Sequence, residues 1–238
     1  ALEKGFTPAT VVNDAPVVFD PGRHGGQIWE PKNYDGKYEG PMRLRTALAK
    51  SKNMVSIRIL QAIGPSYAQD YVTRFGFDPK QHPAYLTLAL GAGSTTPLQM
   101  AGAYAVFANG GYRIKPYFIS KITDDKGGIL FTASPESAVE VESNQSGMKQ
   151  AERVIDPRNA FIMSSLMRDV VRYGTAARAM SLGRNDLAGK TGTTNDHFDA
   201  WFAGFSPGLV AISWIGFDNP SDLGNNETGG QAALPIWM

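Results

Sequence analysis

Cysteine is absent from the 238 residues, and histidine occurs only three times. Without cysteine the chain has no disulfide, no thiol nucleophile and no cysteine-ligated metal. The three histidines, His24, His82 and His197, lack the spacing of metal ligands. We therefore predict no metal site and no cofactor. We interpret Asp196-His197 as a loop pair and not as a catalytic dyad.

The chain also lacks an excess of charge and a long apolar run. Its 23 basic and 22 acidic residues give a formal net charge of +1, so nothing favours nucleic acid as a partner. No apolar run approaches the roughly 18 residues that span a bilayer. No leader pattern is present in the opening ALEKGFTPAT, and the abrupt start and finish predict a piece of a longer protein.

Helical patterns dominate the middle of the chain, and strand patterns dominate its end. Short helices are predicted over 44–50 and over 53–63, and Thr96-Pro97 and Asp156-Pro157 are typical helix starts. Ser66 is predicted to cap a further helix. AWFAGF and LVAISWIGF flank Ser206-Pro207-Gly208-Leu209 and predict an antiparallel hairpin, with Trp201 and Trp214 in the core. This order favours an α+β fold.

One strand-like stretch near the end has an unusual composition, because it carries Lys190-Thr191-Gly192-Thr193. Side chains alternate along a strand, so Thr191 and Thr193 share one face and Lys190 points to the other. Gly192 leaves room for another backbone, such as an extended peptide at a strand edge. Two hydroxyls near an ammonium suit a carboxylate. The alternative is a glycine kink beside a solvated lysine, because a motif this short often recurs by chance.

A second polar motif, Ser51-Lys52-Asn53, falls at the junction of two predicted helices. A hydroxyl and an amide at such a corner can point together into a cleft, as proton shuttle and hydrogen-bond donor. The alternative is helix capping, because serine and asparagine favour helix ends.

Together the two motifs resemble the penicillin-binding protein and serine β-lactamase superfamily, whose signature is S-x-x-K, S-D-N and K-T-G. S-x-N in place of S-D-N is typical of its transpeptidases. Almost the whole chain is similar to the transpeptidase domain of bifunctional (class A) penicillin-binding proteins, through segments such as LGAGSTTPLQMAGAYAVFANGGYRIKP, RYGTA and LAGKTGTTNDHFDAWFAGFSP. The resemblance implies an antiparallel sheet flanked by helices, with an all-helical subdomain beside it and the two motifs facing each other across one groove.

The nucleophilic S-x-x-K motif is where the sequence departs from the family. Ser146-Gly147-Met148-Lys149 matches the spelling, but it follows the other serine motif and lies in the polar stretch 133–153. We reject it for both reasons. The family's serine helix ends in a segment similar to ALEKG, so the nucleophile is expected shortly before Ala1. Residues 1–238 are then one transpeptidase domain cut at both ends, with glycosyltransferase domain and membrane anchor outside it.

The resemblance implies a role for each motif residue in D,D-transpeptidation. Ser51 relays a proton to the leaving amine, Asn53 binds the substrate's amide carbonyl, and Lys190 holds positive potential near Ser51. Thr191 and Thr193 hold a terminal carboxylate, Gly192 belongs to the same substrate-binding strand, and the N–H of Thr193 contributes to the oxyanion hole.

The resemblance also implies partners and a location. The expected partners are peptidoglycan stem peptides ending in D-Ala-D-Ala and β-lactam antibiotics. The parent protein is expected at the periplasmic face of the bacterial inner membrane, in a cell-wall synthesis complex. Three alternatives stay open: a D,D-carboxypeptidase or β-lactamase, a non-catalytic β-lactam sensor, and a structural domain with coincidental motifs.

Overall fold

The computed structural model describes residues 1–20, 28–138 and 149–238, and these form an α+β fold. Ser146 of the rejected S-x-x-K match and His24 lie outside the described residues. The α-helices are α1 (Leu44–Ala49), α2 (Asn53–Ile63), α3 (Pro65–Thr73), α4 (Pro97–Ala108), α5 (Pro157–Arg172) and α6 (Leu234–Trp237). Short 3-10 turns cover Leu2–Lys4, Pro79–Gln81, Leu86–Leu90, Ala177–Leu182 and Asn195–His197, and a π turn covers Gly229–Ala233.

The strands form one main sheet and several small pairs. The main sheet is antiparallel, in the order β11 (Leu209–Gly216), β10 (Asp199–Ser206), β9 (Ala188–Thr193), so β9 lies at an edge. The antiparallel pairs are β1 (Val11–Asp14) with β2 (Gly40–Arg43), β3 (Tyr112–Arg113) with β8 (Glu152–Arg153), and β4 (Lys121–Thr123) with β5 (Ile129–Thr132). A parallel pair joins β6 (Glu136–Ser137) to β7 (Lys149–Gln150).

Local sequence signals explain where the long helices begin. The Thr96 hydroxyl accepts from the Gln99 N–H, and the Gln99 side chain accepts from the Thr96 N–H, which completes a capping box at α4. Asp156 caps α5 by accepting from the Arg158 N–H. Both predicted starts are confirmed. The prediction for Ser66 is wrong, because Pro65 already occupies the first turn of α3.

The core lies on both faces of the main sheet. Phe202 and Phe205 of β10 have opposite parity and therefore point to opposite faces, and both are buried. Phe205 packs with Met167 of α5 and with aromatic residues of α4, while Phe202 lies against Trp237 of α6 at a ring-centroid distance of 4.9 Å. No helix of the described ranges has both the length and the apolar character to cross a membrane.

The predicted core positions of the two tryptophans are wrong. Trp201 is only partly buried and Trp214 is 37 % exposed. They are cross-strand partners in β10 and β11, with ring centroids 5.7 Å apart, and the Trp214 indole donates to Asp199 Oδ1 at 2.8 Å. Alternation identified their face of the hairpin, but the two rings stay partly exposed and pack against each other.

Candidate active site

A cleft of about 800 Å³ lies between the main sheet and the polypeptide around α1 and α2. One wall is formed by residues 29–35 and by the corner 50–53. The other is formed by the end of β9, by the following residues 194–197 and by a segment around Gly230. Ser51, Asn53, Thr191 and Thr193 all line this one cavity. The structure therefore brings the two sequence motifs together, as predicted.

Ser51 occupies a tight corner between two helices. Its own N–H donates to Leu48 O at 3.1 Å and the next N–H, of Lys52, donates to Ala47 O at 2.9 Å, so α1 holds the corner from behind. The backbone of Ser51 is left-handed, with φ of 56°. A non-glycine residue in this region costs on the order of 1–3 kcal/mol and persists where its surroundings hold it, often at functional sites.

Helix capping does not account for the S-x-N motif. The N-cap of α2 is Lys52, and no side chain caps that helix. Asn53 is instead the first helical residue, and its Nδ2 donates to Lys32 O at 2.8 Å across the mouth of the cleft. Because an amide nitrogen carries two hydrogens, one donor of Asn53 remains for a ligand.

Lys190 links the two motifs directly. Its Nζ donates to Ser51 Oγ at 2.7 Å and to Thr191 O at 3.0 Å. No carboxylate among the described residues pairs with this ammonium. Although part of the side chain keeps some exposed surface, the ammonium lies deep in protein, and burial lowers the pKa of Lys190 from 10.5 to about 8. Such a group can change protonation state near neutral pH.

The threonine hydroxyls of β9 are positioned by neighbouring groups, yet they keep donors for a ligand. Thr193 Oγ1 accepts from the Gly229 N–H at 3.0 Å, so its own proton is free to donate. Thr191 Oγ1 lies 2.6 Å from Thr175 Oγ1, and because only one of these hydroxyls donates to the other, one O–H remains available. The pair of strand positions can therefore offer two hydroxyl donors to one anion.

The need for a glycine at position 192 has a different cause from the predicted approach of a substrate backbone. A Cβ added there would lie 3.2 Å from Trp201 Cβ, so the glycine makes room for its cross-strand partner. The backbone that approaches β9 is the chain's own: a Cβ added to Gly229 would lie 2.4 Å from Gly192 O and 2.3 Å from Trp201 O. The segment after Thr228 thus packs tightly against the strand and supplies the N–H that orients Thr193.

Thr175 and His197 are among the cleft residues that were not predicted as site residues. Thr175 follows α5, faces Thr191 and lines the cavity. His197 lines the cavity and forms no dyad with Asp196; its Nδ1 lies 3.1 Å from Gly224 O and its Nε2 3.3 Å from the Tyr34 hydroxyl. The only sequence signal for Thr175 was the resemblance of RYGTA to the family.

Comparison with known proteins identifies the family of the chain. Residues 1–233 match the family described as the penicillin-binding protein transpeptidase domain. The chain belongs to that family, as its motifs predicted. The similarity extends to penicillin-binding protein 1A of Neisseria lactamica, with 52 % identity over all 238 residues, and of Pseudomonas aeruginosa, with 43 % identity over 274 aligned positions. These relatives are class A penicillin-binding proteins of Gram-negative bacteria, and class A is the class that the sequence resembled.

Solved structures agree with the family and the fold. The crystal structure of penicillin-binding protein 1A from Haemophilus influenzae matches 99 % of this chain with a TM-score of 0.91 and 41 % identity, and the match covers 39 % of that chain. PonA1 from Mycobacterium tuberculosis, at 24 % identity and a TM-score of 0.78 over 99 % of this chain, shares the fold; the match covers 63 % of that chain. The present chain spans 29 % of the Neisseria lactamica relative and 33 % of the Pseudomonas aeruginosa relative.

Proposed function

We propose that this chain forms the larger part of a D,D-transpeptidase site that crosslinks peptidoglycan stem peptides by serine acyl transfer and is acylated by β-lactams. The observation that carries the proposal is the 2.7 Å contact from Lys190 Nζ to Ser51 Oγ. It joins motifs that lie 139 positions apart in the chain, inside a cleft that also presents Asn53, Thr191 and Thr193.

The reaction proceeds in two steps on this proposal. A serine hydroxyl attacks the carbonyl carbon of the penultimate D-alanine, the C–N bond breaks, and the terminal D-alanine leaves with a proton relayed through Ser51. An amine of a second stem then attacks the ester carbonyl and releases the serine. Lys190, uncompensated by any described carboxylate, keeps positive potential at Ser51 and favours this proton transfer.

Substrate positioning follows from the remaining donors of the cleft. The free O–H of Thr193 and one O–H of the Thr191–Thr175 pair hold the terminal carboxylate, as hydrogen bonds to a charged group are the stronger kind. The second N–H of Asn53 Nδ2 binds an amide carbonyl of the stem. The backbone N–H of Thr193 is one oxyanion donor, which typically contributes about 3 kcal/mol to transition-state stabilisation.

The nucleophile is proposed to lie in a segment that precedes Ala1 and carries the helical S-x-x-K motif. A groove of about 250 Å³ beside Ala1, lined mainly by apolar side chains such as Tyr71, Phe107 and Met163, offers such a helix a surface to pack on. Residues 1–238 alone are then inactive. In the parent protein we propose a glycosyltransferase domain, a membrane anchor and a place at the periplasmic face of the inner membrane within a cell-wall synthesis complex.

The test uses the complete domain, including the preceding segment, and follows its reaction with a fluorescent penicillin. We expect a covalent adduct that persists for hours, and release of D-alanine from a pentapeptide stem with transfer to an added amine. Rapid turnover of the adduct would assign the chain to the hydrolases. Stable acylation without any D-alanine release would favour a sensor. Failure of acylation altogether would contradict the proposed function.

A further inference from the structure

The middle residue of the S-x-N motif has a charge environment that the reaction scheme does not use. Lys52 is buried, with 3 % of its side chain exposed, although it lies between Ser51 and Asn53 at the cleft. Its Nζ is 2.9 Å from Asp35 Oδ2, 3.1 Å from Glu39 Oε1 and 3.3 Å from Lys37 O. An ammonium has three N–H donors, and these three acceptors match that number.

A fourth acceptor lies beneath this set and connects it to the sheet pair β1–β2. Asp14, which is fully buried, has Oδ2 3.7 Å from Lys52 Nζ. Its two oxygens accept from Asn33 Nδ2 at 2.7 Å and from the Glu39 N–H at 3.0 Å. Asn33 Oδ1 in turn accepts from the N–H of Met54, one residue beyond the motif. The segment 33–39 is therefore connected to the S-x-N corner in two ways: its carboxylates pair with Lys52, and the side-chain amide of Asn33 accepts from the Met54 N–H.

The energetics indicate that this lysine stays charged and is held firmly. Burial by itself lowers the pKa of Lys52, but hydrogen bonds to Asp35 and Glu39 outweigh burial and raise it. A buried ammonium is costly to desolvate unless it is paired and hydrogen-bonded, and removing it would leave the buried carboxylate of Asp14 without its cation. A cluster of this kind defines a geometry more strongly than surface ion pairs do.

The elements that this cluster joins are the two sides of the S-x-N corner. Segment 32–35 forms the cleft wall that receives Asn53 Nδ2 at Lys32 O. The corner itself contains the left-handed backbone of Ser51, which depends on its surroundings. Movement of either side would change the distance from Ser51 Oγ to Lys190.

We infer that Lys52 is a positioning residue for acyl transfer: its ammonium ties the 33–39 segment to the S-x-N corner and so holds Ser51 and Asn53 in reacting geometry. The inference rests on the proposed function. It goes beyond it, because the motif itself assigns no role to its middle residue. Lys52 acts through Ser51 and Asn53 and does not contact the substrate.

The test compares Lys52→Met, Lys52→Arg and Glu39→Gln in the complete domain, with Lys149→Met as the matched control. Lys149 also pairs with a carboxylate, Glu136 at 3.1 Å, but its side chain is 76 % exposed and lies outside the cleft. Binding and acylation are separated by measuring the dissociation constant of a penicillin and the first-order rate constant of acylation. Circular dichroism verifies that each variant is folded at the assay temperature.

We expect Lys52→Met to lower the acylation rate constant by about 10- to 100-fold, with a much smaller change in the dissociation constant, because misplacement by about 1 Å costs that much. Lys52→Arg, which keeps the charge, should recover part of the loss. Glu39→Gln should lose about 3-fold, since Asp35 and Asp14 still hold the ammonium. Lys149→Met should react like the wild type.

The outcomes separate this inference from the function on which it rests. A wild-type domain that no penicillin acylates would remove the proposed function itself. A folded Lys52→Met that acylates at the wild-type rate, with only its melting temperature lowered, would overturn the positioning role and leave the function intact. If Lys52→Met does not fold, Glu39→Gln decides, and an unchanged rate constant in that variant overturns the inference.

Discussion

Two lysines place a buried ammonium at the same corner of the cleft, and they differ in almost every other respect. Lys52 is surrounded by Asp14, Asp35 and Glu39, and its pKa is raised. Lys190 has no carboxylate partner in the described part of the chain; it donates to a hydroxyl and a carbonyl, and burial lowers its pKa to about 8. Compensated charge suits a structural tie, whereas an uncompensated ammonium suits chemistry on an adjacent hydroxyl.

The largest expected effect is on reactivity at Lys190. Lys190→Met in the complete domain should reduce the rate of penicillin acylation by about 1000-fold, because it removes the charge that assists proton transfer through Ser51. Stopped-flow fluorescence with a labelled penicillin measures this rate, and Lys149→Met serves as control. If Lys190→Met slowed acylation less than Lys52→Met does, the chemical role assigned to Lys190 and the positioning role assigned to Lys52 would be reversed.

The free energy of unfolding should be affected in the opposite order, with the larger loss in the Lys52 variant. Lys52→Met should lower the free energy of unfolding of residues 1–238 by about 3 kcal/mol, because it leaves buried Asp14 and its neighbours without their cation. Lys190→Met should change it by less than about 1 kcal/mol, since an unpaired buried ammonium is replaced by an apolar chain. Urea denaturation followed by circular dichroism gives both values. Equal losses in the two variants would show that the charge environments do not differ in energy.

The pH dependence of folding stability should also differ between the contributions of the two lysines. The folded pKa of Lys190 is about 8, below the ordinary 10.5, so between these values the unfolded chain binds more protons and this group makes stability rise with pH. The folded pKa of Lys52 is raised above 10.5, so its stabilisation is present below 10.5 and is lost only as the pH rises through the folded value. Lysine Nζ and Cε chemical shifts, assigned with the two methionine variants, report each titration. A Lys190 resonance that does not titrate below pH 10 would refute the difference.

The smallest effect concerns binding at the threonines. Thr193→Val removes one hydroxyl donor to the carboxylate and leaves the Gly229 N–H without its acceptor, and it should weaken penicillin binding by about 10-fold. Thr193→Ser keeps the hydroxyl and should bind within about 2-fold of the wild type. The dissociation constant before acylation is the relevant quantity. An equal loss in both variants would assign the effect to packing of the strand.

The contrast between Lys190 and Lys52 also shows which features of the site the sequence could predict. The sequence could predict Lys190, Ser51, Asn53 and the two threonines as site residues, because each motif consists of adjacent residues that a family resemblance can identify. The elements with strong local signals were found in the same way: the capped helices α4 and α5 and the hairpin β10–β11.

The rest depends on contacts between distant segments. The sequence indicated no role for Lys52, because its partners come from positions 14, 35 and 39, which no local pattern connects to it. Thr175 faces Thr191 only because α5 ends beside β9. Trp201 and Trp214 have the alternation of core residues, yet they stay partly exposed and pack against each other.

The central claim is that the S-x-N corner and the lysine strand are two parts of an acyl-transfer site whose serine precedes Ala1. Mass spectrometry after penicillin treatment tests this most directly, on residues 1–238 and on the same chain with its preceding segment. The account predicts one adduct, on a serine of the preceding segment, and none on residues 1–238 alone. A stoichiometric adduct within residues 1–238, whether on Ser51 or on Ser146, would contradict it.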